Sequence, residues 1–177
     1  SGAAPYKTVK DFENGISLNA DYVAIIDRAI GKFREGQASG VLETALTINN
    51  VVQQLDTQLA MKIEESPYWG PITAMPADIT GADREKLTRD YRASIEKVYA
   101  ANTRLRDYLR DEYLPVARKS VGLSQMKGGN ALYAQMIEST TTLPLTADYL
   151  HNLGLSEVAR IRGGMEEVMR EVGFKGT

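Results

Sequence analysis

The sequence predicts an all-α protein, a bundle of about five to six helices with one long proline-rich loop at about residues 65–80. Three observations predict it. Apolar residues return at spacings of three and four along most of the chain. The breaks between those stretches fall at glycine, proline and small capping residues. The 177 residues suffice for a core that buries roughly 70% of the unfolded surface, without help from disulfides.

The chain up to about residue 18 is weakly patterned and reads as an extended lead-in, with the helical domain running from 19 to 177. Tyr22, Ile26, Ala29, Ile30 and Phe33 follow at helical spacing, with Asn19 or Asp21 as N-cap and Gly36 as the stop. Val41, Ala45, Ile48, Val52, Leu55 and Leu59 mark a second long helix, closed by Ser66 before Pro67 because the residue preceding a proline is pushed out of the α region. Pro67, Trp69, Gly70, Pro71 and Pro76 then form a loop long enough to need a reason. Thr80 and Asp83 sit as a short-armed capping box ahead of Leu87, Tyr91, Ile95, Val98, Asn102, Leu105 and Leu109, a helix that Pro115 ends or kinks. Gly128 and Gly129 open a short helix through Leu132, Tyr133, Met136 and Ile137, and the β-branched run Thr140, Thr141, Thr142 before Leu143 and Pro144 reads as extended. Thr146 caps a short helix stopped at Gly154. Ser156 caps the last, which buries Val158, Ile161, Met165, Val168 and Val172 and is weakened by Gly163 and Gly164, at about 1 kcal/mol each relative to alanine.

Composition removes several kinds of chemistry. The absence of Cys excludes zinc fingers and iron–sulfur centres, and the single histidine, His151, rules out a histidine-rich zinc site with an H-E-x-x-H pattern. No catalytic residue and no metal ligand is assigned within these residues. Twenty-one Lys and Arg against 23 Asp and Glu provide no basic field for nucleic acid, and no run is long and apolar enough to span a bilayer. Residues 1–5 carry neither an initiating Met nor an apolar signal core, so the compartment stays open, a periplasmic or exported parent included.

The local motifs weigh towards structure. Glu64 with Glu65, Asp111 with Glu112, and Glu166 with Glu167 are sequence neighbours pointing about 100° apart on a helix, unlike a facing acid–base pair. Tyr91, Tyr99, Tyr108 and Tyr113 fit a core rim with wet hydroxyls. Residues 146–162 imitate a helix-turn-helix, but Glu157, Glu166, Glu167 and Glu171 oppose the positive surface that phosphate contacts need. Gly128 and Gly129 lack the Lys-Ser/Thr and the preceding strand of a phosphate loop.

One family resemblance covers most of the chain. The run Leu109, Arg110, Asp111, Glu112, Tyr113, Leu114, Pro115, Val116, Ala117, Arg118, then Gly122, Gly128, Gly129 and Tyr133, resembles the bacterial domain-of-unknown-function 885 family. So do Thr140, Thr141, Thr142 and Leu143, the run from Leu150 through His151 to Leu155, the segment Glu157, Val158, Ala159, Arg160, Ile161, and Val172 to Gly176. The resemblance implies a fragment of a larger helical fold, related to zinc metallopeptidases, in which the metal motif lies downstream of the segment seen here. It implies zinc for the parent, with none held by this chain, and a cleft-wall role beside the catalytic remainder of the parent. Lys127 where the family carries proline, Leu132 beside Tyr133 where it carries two aromatics, and Gly163-Gly164 depart from the pattern.

On that footing Gly128, Gly129, Tyr133, Thr141 and His151 are the candidates for substrate contact. The glycines would let a backbone approach closely, Tyr133 would offer a ring and a hydroxyl, and the threonine run would supply an edge for a peptide substrate. The alternatives are a stand-alone helical interaction module and, more remotely, DNA binding through residues 146–162. Self-association is expected of a fragment and of a module alike.

Overall fold

The computed structural model describes residues 6–176, so residues 1–5 of the expected lead-in and Thr177 lie outside the described residues. Six α-helices and no β-strand occur among them, and the protein is all-α. They are α1 (Val9–Ser39), α2 (Ala45–Leu59), α3 (Gly70–Thr73), α4 (Gly81–Asp107), α5 (Gly129–Thr141) and α6 (Ala147–Glu171). The chain divides into two compact units, one up to Val121 and one from Gly122.

In the first unit α1 and α4 pack along each other as the spine. α1 begins ten residues earlier than the Asn19 start expected from its pattern, because Thr8 and Asp11 close a capping box. The Asp11 carboxylate accepts from the Thr8 backbone N–H at 2.8 Å while the Thr8 hydroxyl accepts from the Asp11 N–H at 3.3 Å. The carboxylate also accepts from the Thr8 hydroxyl at 2.8 Å, and this bond, followed by those from the Lys7 and Thr8 N–H groups, holds the Asp11 carboxyl below its ordinary range. At the other end the helix runs through Gly36 and stops at Gly40, whose φ of 78° lets Val41 donate back to the Gly36 carbonyl at 3.0 Å.

Two apolar clusters sit on this spine. In one, Ile48, Val52 and Leu55 of α2 meet Ile26 and Ile30 of α1 and Ala101, Leu105, Tyr108, Leu109 and Tyr113. In the other, Phe12, Leu87, Tyr91 and Ile95 are capped by Met75 and Ile79. The proline-rich loop therefore has its reason. It folds into short 3₁₀ turns and α3, and packs Tyr68, Trp69 and Ile72 over the second cluster. α2 ends at Leu59, seven residues before Ser66, and Thr80 makes no side-chain cap bond; Arg84 instead holds the Pro76 and Ile79 carbonyls at 3.1 and 3.0 Å.

Between the clusters runs a polar relay. Asn102, fully buried, accepts from the Tyr22 hydroxyl at 3.0 Å and donates to Gln58 at 3.2 Å, and Gln58 donates to the Tyr68 hydroxyl at 3.0 Å. Each of these groups finds a partner, as a buried amide must.

α4 does not end at Pro115 as an α-helix. It widens into a π-helical segment, Tyr108–Tyr113, one turn ahead of the proline that lacks the N–H to continue. Under i→i+5 bonding, residues five apart come to the same side, and Tyr108 and Tyr113 both enter the core with ring centroids 6.2 Å apart. Their hydroxyls are not wet as expected: Tyr108 donates to Gln37 at 2.6 Å, and Tyr113 accepts from the Glu43 N–H at 2.8 Å. Beyond Pro115 the backbone of Arg118 exchanges bonds with Glu43 and Ala45 at 2.9 and 2.7 Å, pinning the start of α2.

The second unit contains a 3₁₀ turn (Leu123–Gln125), α5 and α6. α6 is one uninterrupted helix, which corrects the expected pair of helices around Gly154. An interior glycine costs about 1 kcal/mol but imposes no turn, and the Ser156 hydroxyl donates to the Leu153 carbonyl at 2.8 Å instead of capping a new helix. With no turn there, residues 146–162 do not have helix-turn-helix geometry. The threonine run is likewise helical through Thr141, not extended.

Candidate functional site

The sequence candidates lie in the second unit, and most of them spend their chemistry on the chain itself. Gly128 precedes α5 with φ of 73°, and the Gly129 N–H donates to the Met126 carbonyl at 2.9 Å. A Cβ on Gly129 would lie 1.8 Å from the Leu123 carbonyl oxygen. The close backbone approach that this glycine permits is therefore to its own preceding turn.

Thr141 Oγ1 lies 2.8 Å from the Ile137 carbonyl and 3.0 Å from that of Leu143, and accepts from the Leu143 N–H at 3.2 Å. It closes the end of α5. The next residue, Thr142, is held at φ 60°, a left-handed conformation costly for a β-branched side chain. Thr142→Gly is expected to stabilise this turn by about 1 kcal/mol, read as slower amide exchange at the end of α5; an unchanged or faster rate would show the turn to be unstrained.

Tyr133 is half-exposed on α5, and His151 is exposed in the second turn of α6, too far from its C-terminus to cap it. No side-chain hydrogen bond joins Tyr133, Thr141 and His151. The structure thus brings together Gly128 and Gly129 in one turn, and sets the other three apart on two helices.

The first unit carries a charged groove of about 540 Å³ that sequence reasoning passed over, between α1 and the π-helical segment. Arg104 meets Asp27 at 2.8 Å, Arg34 meets Glu112 at 3.4 Å and lies 5.1 Å from the Tyr108 ring centroid, and Arg110 meets Asp111 at 2.7 Å. The hydrogen bond from Arg110 holds the Asp111 carboxyl below its ordinary range, so it stays ionised and is no proton donor at neutral pH. The neighbouring carboxylates each take a separate cation: Glu112 turns to Arg34, Glu64 to Arg92 and Glu65 to Lys62. No facing acid–base pair forms from them. The signal in the sequence was the alternation of Arg and Asp from 104 to 111, legible as helix-end charge but not as a groove.

A second groove, of about 650 Å³, runs beside α2 and is lined by Asn50, Gln53, Gln54, Thr57 and Gln58 with Val51, Leu55, Met61 and Pro67. It is uncharged, and its amides can both donate and accept. Among the described residues no three His, Asp or Glu side chains converge so as to hold a metal ion. The donor set that zinc would need is not assembled by these residues.

The surface with the largest unmet demand is α6. None of its 25 residues is buried. Val158, Ile161, Met165, Val168 and Val172 form one stripe at 50–71% exposure, and α6 does not pack along α5. No described helix is long and apolar enough to cross a membrane.

Comparison of the sequence with known families gives a match. A family profile described as "Bacterial protein of unknown function (DUF885)" matches residues 2–177. No curated protein and no solved structure matches the chain.

Proposed function

The chain belongs to the DUF885 family of bacterial proteins, and from that premise we propose that it is the helical scaffold and cleft wall of a zinc-dependent peptidase-like protein. Its work is to support a catalytic remainder that supplies the metal donors. The observation that carries this reading is α6: a 25-residue helix with no buried residue and a continuous apolar stripe. Isolated helices gain little from propensity alone, and most helical stability comes from packing an apolar face. Three interior glycines, Gly154, Gly163 and Gly164, lower that propensity further. The stripe is therefore a face built to be covered.

The self-contained bonding of Gly129 and Thr141 supports the same division of labour. These residues shape the turns at the two ends of α5, and Tyr133 and His151 are the side chains left facing outward for a peptide substrate or for the remainder of the parent. On this reading the 177-residue chain binds no zinc stoichiometrically and cleaves no peptide, checked by calorimetric zinc titration and by mass spectrometry of a peptide mixture. Tight one-to-one zinc binding would overturn it.

A further inference from the structure

The two edges of the α6 stripe differ, and the difference selects what can cover it. We infer that α6 docks against an amphipathic partner helix that presents lysine or arginine side chains to the edge carrying Glu157 and Glu171. This deepens the scaffold reading above and rests on it.

Val158, Ile161, Met165, Val168 and Val172 recur by three and four, the spacing of a helix–helix seam. On one side the stripe is broadened by Leu155 and Met169, with the cation Arg162 midway between them, each seven residues from the next. A stripe of that breadth belongs to a helix facing the core of a bundle more than to a two-stranded seam. The opposite edge holds Glu157, Gly164 and Glu171 at the same seven-residue spacing: two carboxylates, with bare backbone between them where a partner can come close. Glu157 is bonded at 2.8 Å to Arg160 of its own helix. That pair is exposed, and such pairs are weak enough to be redistributed when a partner arrives.

A second copy of this chain fits the edges less well. An antiparallel copy centred on Gly164 would set Glu157 against Glu171, like charge against like. A parallel copy would match Glu157 with Arg162 but leave Glu171 opposite Gly176. A basic edge on the partner answers both carboxylates.

The test uses two synthetic amphipathic helices equal in length to α6, alike in a leucine seam, one with lysine and one with glutamate at the flanking positions. Each is titrated into the 177-residue chain and followed by fluorescence anisotropy. The lysine peptide should bind roughly tenfold more tightly than the glutamate peptide, and E157K/E171K should reverse that order. D148K/E166K makes the same change in net charge on the far side of the helix and should leave the order as it was. Equal binding of the two peptides, or an order moved as much by D148K/E166K, would overturn the charge-matched edge while leaving an apolar docking face in place. Binding of neither peptide would overturn the inference and count against the docking face itself. Self-association abolished by I161D would overturn it in favour of a second copy.

Discussion

Phe12→Ala is expected to cost about 3–5 kcal/mol of the first unit's unfolding free energy, the range for emptying a buried aromatic site. Phe12 is fully buried although it lies in the second turn of α1, close to the start of the described chain. Its ring packs at 5.1 Å from Tyr6 and 6.2 Å from Tyr91, and the Tyr91 hydroxyl donates to that of Tyr6 at 3.1 Å. Burial, with the Tyr6 hydroxyl beside it, raises the Tyr91 pKa well above that of a free phenol, so the bond persists across the working pH range. Removing the central ring leaves a void that two tied tyrosines and Leu87, Ile95 and Met75 can only partly fill. Urea unfolding should show the loss as a lower midpoint with little change in slope. A loss under 1 kcal/mol would mean that residues 9–18 are the peripheral lead-in their composition suggests.

Tyr113 carries the second large effect, and two substitutions separate its two roles. Tyr113→Phe keeps the ring against Phe33, 5.1 Å away, but deprives the Glu43 N–H of its acceptor, which should cost about 1–3 kcal/mol. Tyr113→Ala also empties a core site 1% exposed and should cost about 3–5 kcal/mol. The difference between the variants, read from the same denaturation curves, measures the packing of the π-helical segment. Equal losses for both would assign the whole effect to the hydrogen bond.

The fold was legible where burial is one-sided. In α4, Leu87, Tyr91, Ile95, Val98 and Leu105 repeat on one face with charge on the others, so the period reads directly. The first turns of α1 were not: Val9, Phe12 and Ile16 keep helical spacing, but the polar run Lys10, Asp11, Glu13 and Asn14 and the helix-weakening Gly15 lie between them. Gly36 and Gly154 misled for a common reason: glycine tolerates a break without requiring one, and only Gly40 supplies the left-handed residue that ends α1. The threonine run was read as extended from β-branching, yet Thr141 bonds its own helix and Thr142 takes the strained position that stops it. The π-helical widening before Pro115 has no periodic signature at all.

For the candidate site the lesson is different. Glycine and threonine types pointed to backbone approach and hydroxyl chemistry, and both occur, but between neighbours in the chain. Sequence shows which atoms a residue can offer and not which partner claims them. The α6 stripe was visible as Val158, Ile161, Met165, Val168 and Val172; that it stays uncovered in this chain could come only from the structure.

Backbone amide hydrogen exchange along α6, measured in the 177-residue chain and again in a chain that carries the proposed catalytic remainder, tests most directly whether this helix is a face awaiting its cover. The account predicts exchange near unfolded rates in the chain alone, while amides of α1 and α4 around Phe12 and Ile95 stay protected, and strong α6 protection once the proposed remainder is present. Protection of α6 in the isolated chain equal to that of α1 and α4 would contradict it.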